Sequence, residues 1–144
     1  MITQPAANQY EELIKVWEAS VRATHDFLTE ADIQYYKPLI LQEYFPQVRL
    51  FCHLNSNQKI TGFMGIAEAK LEMLFIDACE RGTGIGKKLL MYAIEQQHVK
   101  QVDVNEQNVQ AVGFYKHMGF KVISRSEVDA AGKPYPILSM VLVD

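Results

Sequence analysis

A chain of 144 residues, 49% hydrophobic and 22% charged, is long enough for one ordinary globular domain and too short for a two-domain enzyme. Fourteen basic residues against seventeen acidic give a net charge of −3, and neither sign is gathered into a block, so nucleic acid and anionic membrane are not expected partners. The two cysteines, Cys52 and Cys79, lack CxxC spacing and a neighbouring histidine cluster; they read as reduced thiols, with no metal site. With no basic and apolar leader, and no run of the roughly 18 apolar residues that cross a bilayer, the expected location is the cytoplasm.

Met1 to Gln4 read as a short strand. Tyr10, Leu13, Ile14, Trp17 and Val21 then recur at i, i+3, i+4, i+7 and i+11, one face of a helix. Thr29 followed by Asp32 has the form of a capping signal, and Ile33 and Tyr36 continue a helical stripe. Pro38 is uncomfortable in a helix interior, so two short helices are expected, joined near Lys37 and ending at Pro46. From Val48 the pattern turns to alternation. VRLFCHL, a turn at Asn55 to Gln58, KITGFMGI, and KLEMLFID after Glu68 predict a three-stranded antiparallel meander.

After Asp77 comes ERGTGIG, followed by KKLLMYAIEQQ, where Ile85, Leu89, Tyr92, Ala93 and Gln96 mark a helix. VKQVDV reads as a strand, and Ala111, Phe114, Tyr115 and Met118 share a helical face that Gly119 terminates. Strand, helix, strand implies a right-handed parallel crossover. FKVISRSEV and ILSMVLV, around DAAGKPYP, close the chain as an antiparallel hairpin. The fold class is therefore α/β of the α+β kind: a single domain over 1–144, with one mixed, mostly antiparallel sheet and helices on both faces.

The glycine-rich segment lies between a strand and a helix start, where unpaired backbone N–H groups and the positive end of the helix dipole favour a phosphate. It is not a P-loop, because Arg81 stands five positions before Gly86 and Lys87 is followed by another lysine. Nor does it fit a dinucleotide fingerprint, whose GxGxxG spacing is replaced by GxGxG and which needs more than one crossover.

Arg81-x-x-Gly84-x-Gly86, preceded by LEMLFID, resembles the [Q/R]-x-x-G-x-[G/A] acyl-coenzyme A signature of the GNAT-type N-acetyltransferase superfamily. Asn108-x-x-Ala111-x-x-Phe114-Tyr115, then Gly119-Phe120, is similar to that family's N-x-x-A-x-x-[FL]-Y-x-x-x-G-F segment. The two motifs fall in the right order on the predicted elements, and the resemblance covers about residues 59–143. ATHDFL, NEQN and GKPYPIL are also similar to segments of a subgroup of small bacterial members.

The resemblance implies a GNAT-like fold in which a bulge after the fourth strand splays it from the fifth, and acetyl-coenzyme A lies in the gap. The pantetheine arm would pair with Leu74, Phe75 and Ile76, and the pyrophosphate would sit on the amides of Gly82, Thr83, Gly84, Ile85, Gly86 and Lys87, next to Arg81. Asn108 would bond the arm, although a helix cap is its plain structural role. Tyr115 matches the general acid, a phenol of pKa about 10 facing a thiol of about 8.5; as part of an apolar stripe it could equally be core. Asp103 occupies a position where some members carry the general base, and Glu72, on the strand before the loop, is the other candidate. His25 and Asp26 fall where the family builds its acceptor pocket, while His53, His98 and His117 read as structural or solvated.

Segments Thr24 to Thr29 and Asp129 to Pro136 are expected to set acceptor specificity, with Asp26, Glu127 and Asp129 as sources of an acidic pocket. The implied activity is transfer of an acetyl group from acetyl-coenzyme A to a primary amine of a small molecule or peptide, by direct attack in a ternary complex. The alternative is an acyl-coenzyme A sensor that keeps the cleft without the chemistry. A homodimer is among the assemblies open to the chain, and no residue pattern selects it.

Overall fold

In the computed structural model, which describes residues 1–143, strand alternation sorts the apolar residues into two cores. On β2 (Arg49–Leu54) and β3 (Ile60–Ala67), Leu50, Cys52 and Phe63 join one buried cluster, and Phe51, Met64 and Ile66 join the other. The first cluster is covered by α1 (Tyr10–Thr24), through Leu13, Ile14, Trp17 and Val21, and by α2 (Glu30–Leu39), through Ile33 and Tyr36. The second is covered by α3 (Ile85–Gln97), through Ile85, Leu89, Leu90 and Ala93, and by α4 (Val109–His117), through Tyr115.

The remaining strands are β1 (Ile2–Thr3), β4 (Lys70–Ile76), β5 (Gln101–Asn105), β6 (Phe120–Ser126) and β7 (Ile137–Leu142). Seven strands form one sheet in the order β1-β2-β3-β4-β5-β7-β6, with every neighbouring pair antiparallel except β4 and β5. The meander, the single parallel crossover through α3 and the closing hairpin are as the sequence predicts, and β7 lies between β5 and β6. Among the described residues, no helix is long and apolar enough to cross a membrane.

The region around Pro38 differs from expectation. Thr29 and Asp32 do cap α2 reciprocally, each side chain accepting the other residue's backbone N–H at 3.1 Å. The helix then runs through Pro38 without a break, continuing as a π-helical turn at Ile40–Tyr44 and a 3-10 turn at Phe45–Gln47. Ile33, Tyr36, Ile40 and Phe45 all bury against the α1 cluster. That burial outweighs the one missing backbone donor, and the widened turn accommodates the ring.

The feature that positions the site is the brevity of the parallel ladder: β4 and β5 pair only at Lys70 with Gln101 and at Leu71 with Val102. Opposite Gly65 and Ile66, β4 presents Met73 and Leu71, so Glu72 is an extra residue, a bulge. Resemblance placed this bulge after the strand; it lies inside it. The extra residue also resets the alternation, sending Leu71, Leu74 and Ile76 to the α3 side and Met73 and Phe75 to the α1 side. Beyond the bulge β4 and β5 diverge, and the C-terminus of α1 and the N-terminus of α4 face the opening.

Candidate active site

Two cavities fill this divergence, one of about 430 Å³ and one of about 370 Å³. They share His25, Leu74, Phe75, Asn108, Ala111 and Tyr115 as a common wall, so a molecule in one can meet a molecule in the other at that junction.

The smaller cavity runs from the junction to the glycine-rich turn. Leu74, Phe75, Ile76, Arg81, Gly82, Gly84, Ile85, Gly86 and Lys87 line it as the motif implies, whereas Thr83 does not, its hydroxyl instead bonding the Glu80 carbonyl at 2.6 Å. Gly82 and Gly84 have φ of 82° and 86°, a left-handed conformation that a β-carbon disfavours, and a β-carbon added at either would project into open space. Lys88 is the first residue of α3 to bond back, to the Gly84 carbonyl at 3.1 Å, which leaves the N–H groups of Ile85, Gly86 and Lys87 without a helical partner and suited to an anion, whereas the Thr83 N–H bonds the Glu80 carbonyl at 3.4 Å. Arg81 does not point free: it donates to Gln110 of α4 at 2.5 Å and bridges the turn to the second motif. Asn108 caps α4, its Oδ1 accepting the Ala111 N–H at 3.2 Å. That bond uses the oxygen alone, so the Nδ2 donors stay available at the junction.

Tyr115 packs in the α3–α4 core against Phe114 and Phe120, with only 5% of its surface exposed. Core residue and wall of both cavities are the same side chain. Its hydroxyl has no partner among the described residues, yet none of their buried polar side-chain atoms is left unpaired, so the hydroxyl opens to the cavity. Burial pushes its pKa up, which keeps it protonated.

Three carboxylates, Glu72, Asp103 and Asp129, and no lysine or arginine line the larger cavity, alongside Trp17, Tyr36, Tyr44 and Tyr135. Asp103 is committed: one oxygen meets Lys70 at 2.7 Å and the other accepts from Ser139 at 2.9 Å. Glu72, at the bulge, is 3.8 Å from Lys70, and desolvation, with Asp103 nearby, raises its pKa against the pull of that lysine. Asp129 ties the β6–β7 connection together and to α2, accepting the Ala131 and Lys133 N–H groups at 2.9 and 3.0 Å and the Tyr36 hydroxyl. Tyr135 reciprocates from that connection by donating to Asp32, which Lys133 approaches to 3.2 Å. Tyr135, then the Thr29 N–H and Lys133, hold the Asp32 carboxyl down to about 2 against its desolvation, and Asp32 holds the Tyr135 phenol up to about 12. This clasp roofs the larger cavity. Asp26 and Glu127 line neither cavity, and Asp26 is exposed.

Residues 16–140 match the family described as acetyltransferase (GNAT) domain. The chain belongs to the GNAT acetyltransferase family. This acetyltransferase is 45% identical over 131 residues to the protein named peptidyl-lysine N-acetyltransferase YjaB of Salmonella typhimurium, covering 91% of this chain and 90% of that one. It is 43% identical to the YjaB of Escherichia coli, over 92% and 90% of the two chains. The apo solution structure of Escherichia coli YjaB superimposes with a TM-score of 0.89 over 99% of this chain and 97% of that one, at 40% identity. An acetyltransferase from Thermoplasma acidophilum in complex with coenzyme A shares the fold, with a TM-score of 0.74 at 20% identity over 96% of each chain. Acetyl-coenzyme A is the family's donor, and the free amides, the two left-handed glycines and the unpaired edge of β4 fit it.

The motifs locate the smaller cavity. They do not reveal Ser20 and Gln110, which also line it, or Tyr36 at the larger one; Thr24 and Tyr135 fall within the segments expected to set acceptor specificity. Tyr36 reads in sequence only as one more position of an apolar helical stripe.

Two tests follow from this geometry. Asparagine tolerates positive φ, so Gly84→Asn is expected to fold while its side chain obstructs the anion cradle. It should lose the stabilisation of about 2.7 kcal/mol that a ligand at 100 times its Kd confers; an undiminished shift with acetyl-coenzyme A in a thermal melt would contradict the assignment. The second test concerns His25, whose pKa burial lowers from 6.5 to about 4. Below about pH 6.5 the unfolded chain takes up a proton there that the folded chain refuses until about pH 4. Stability present above pH 6.5 is therefore lost as pH falls through that window, by up to roughly 3 kcal/mol from this group. Urea unfolding at pH 7 and pH 5 should show the loss, and His25→Asn should remove most of it.

Proposed function

We propose that this acetyltransferase acetylates the ε-amine of lysine in peptides and proteins, and that the amine enters through the larger cavity. The observation that carries the reading is the charge of that cavity: three carboxylates, no lysine or arginine, and an aromatic wall, opening onto the junction with the donor cavity. Such a lining favours a primary ammonium and lets it approach aromatic faces. The names of the YjaB relatives support the same acceptor class.

Bound acetyl-coenzyme A supplies the acetyl thioester. The chain's own part is to hold it, to deprotonate the amine and to return a proton to sulfur. Backbone N–H groups of β4 beyond the bulge, which have no strand partner on the β5 side, are positioned to bond the donor and to polarise its carbonyl as negative charge develops on oxygen. Glu72 takes the amine's proton through water, because Asp103 has both oxygens engaged and serves to anchor Lys70 beside it. Its raised pKa makes it a better base than an ordinary surface carboxylate. Tyr115 donates to the departing sulfur. The desolvation that raises this phenol raises a buried thiol as well; within this protein Cys52 is pushed up to about 11 by its burial. The sulfur that receives the proton is thus itself a stronger base than in free solution.

Incubation with acetyl-coenzyme A and a lysine-containing peptide blocked at its N-terminus should give a mass increase of one acetyl group on the ε-nitrogen. Tyr115→Phe should lower kcat by about 10²-fold or more, with little change in acetyl-coenzyme A affinity. An unchanged kcat would remove Tyr115 from the mechanism, and acetylation of small amines without the peptide would move the acceptor to that class.

A further inference from the structure

The Thr24 hydroxyl stands 2.8 Å from the Ser20 carbonyl oxygen and 2.7 Å from Nδ1 of His25. It has one proton for these two contacts. If that proton went to Nδ1, two oxygens would face each other at 2.8 Å with nothing between them. If it goes to Ser20, the remaining contact is filled by Nδ1–H donating to the threonine oxygen, and both are bonded. The local geometry therefore selects the Nδ1–H tautomer, which leaves Nε2 as a bare lone pair.

That lone pair is not sealed in the core. Nε2 has no partner among the described residues, and none of their buried polar side-chain atoms is unpaired, so it reaches open space although His25 as a whole is only 7% exposed. The space is the junction, since His25 lines both cavities. The residue is also held in place. Its N–H bonds the Val21 carbonyl at the end of α1 at 2.8 Å, its carbonyl accepts the Leu28 N–H at 3.0 Å, and its ring lies 5.2 Å from Phe27 and 6.3 Å from Phe75 between centroids. Burial disfavours the imidazolium, so the ring neither repels an incoming ammonium nor stores its proton.

We infer that His25 Nε2 accepts a hydrogen bond from the acceptor amine and aims the nitrogen lone pair at the thioester carbonyl, with Thr24 as the positioning residue that fixes the tautomer. This rests on the acetyltransferase reading and adds to it an orienting group distinct from base and acid. An amine held by one N–H has its lone pair restricted to a narrow arc, the kind of ordering that lowers the barrier to attack.

The test uses the whole protein with coenzyme A bound, its histidine nitrogens labelled with ¹⁵N. At pH 7 the His25 ring should show a protonated Nδ1 and an unprotonated Nε2, and titration with Nα-acetyl-lysine amide should move the Nε2 resonance. In steady-state kinetics His25→Asn, which keeps a donor to Thr24 and lacks Nε2, should reduce kcat/KM for Nα-acetyl-lysine amide about 10- to 100-fold, with KM for acetyl-coenzyme A unchanged. Thr24→Val should act in the same direction and Thr24→Ser should restore the rate. An Nε2–H tautomer, an Nε2 resonance indifferent to the amine, a loss that falls on acetyl-coenzyme A, or a serine variant no better than valine would each overturn the inference. Absence of turnover in the unsubstituted protein would strike the lysine reading instead, while the spectrum would still decide the role of His25.

Discussion

Parallel strands that pair at only two positions and then diverge leave backbone groups that neither strand satisfies. Here that happens because Glu72 is inserted into β4 opposite the step from Gly65 to Ile66. Unpaired strand edges are costly when buried and adhesive when open, so a cleft built on one is a cleft built for an extended molecule carrying amide groups. The glycine-rich turn at one end supplies free amides for an anion, and the tyrosine of α4 stands at the other. On the reading proposed above, the bulge determines where donor, acceptor and acid can meet, and it does so by adding one residue to a strand.

The two cavities divide their electrostatics accordingly. The smaller cavity carries helix N–H groups, Arg81 and Lys87 against one carboxylate, Glu80; the larger carries three carboxylates and no lysine or arginine. On the reading proposed above, an anionic cofactor and a cationic amine are drawn to opposite ends of one opening, and His25 and Tyr115 at the junction between them are neutral at pH 7. Neutral groups at the point of reaction orient both partners without favouring the charge of either.

How much of this was legible depends on whether a residue's role leaves a mark on its own neighbourhood. Gly82 and Gly84 did, because a left-handed turn restricts the residue type, and Asn108 did, because a helix cap asks for a short polar side chain. The strands were readable from alternation. The bulge was expected only from the resemblance, which set it after the strand, because nothing in KLEMLFID says where along the strand an extra residue sits. Pro38 misled because burial of Ile33, Tyr36, Ile40 and Phe45 overrode a local preference. The bonds of Tyr36 with Asp129 and of Tyr135 with Asp32 join residues 93 and 103 positions apart, and nothing local encodes such pairings. Asp26 and Thr83 illustrate the reverse: each is adjacent to a residue of the site, and each turns away from the cavities.

The central claim, that the bulged and unpaired half of β4 is where the donor binds, is tested most directly by amide hydrogen exchange with and without coenzyme A. The account predicts slower exchange confined to the Met73–Ile76 stretch and to the amides between Gly82 and Lys87. Protection that spares both segments, or that appears only in the roof formed by the β6–β7 connection, would contradict it.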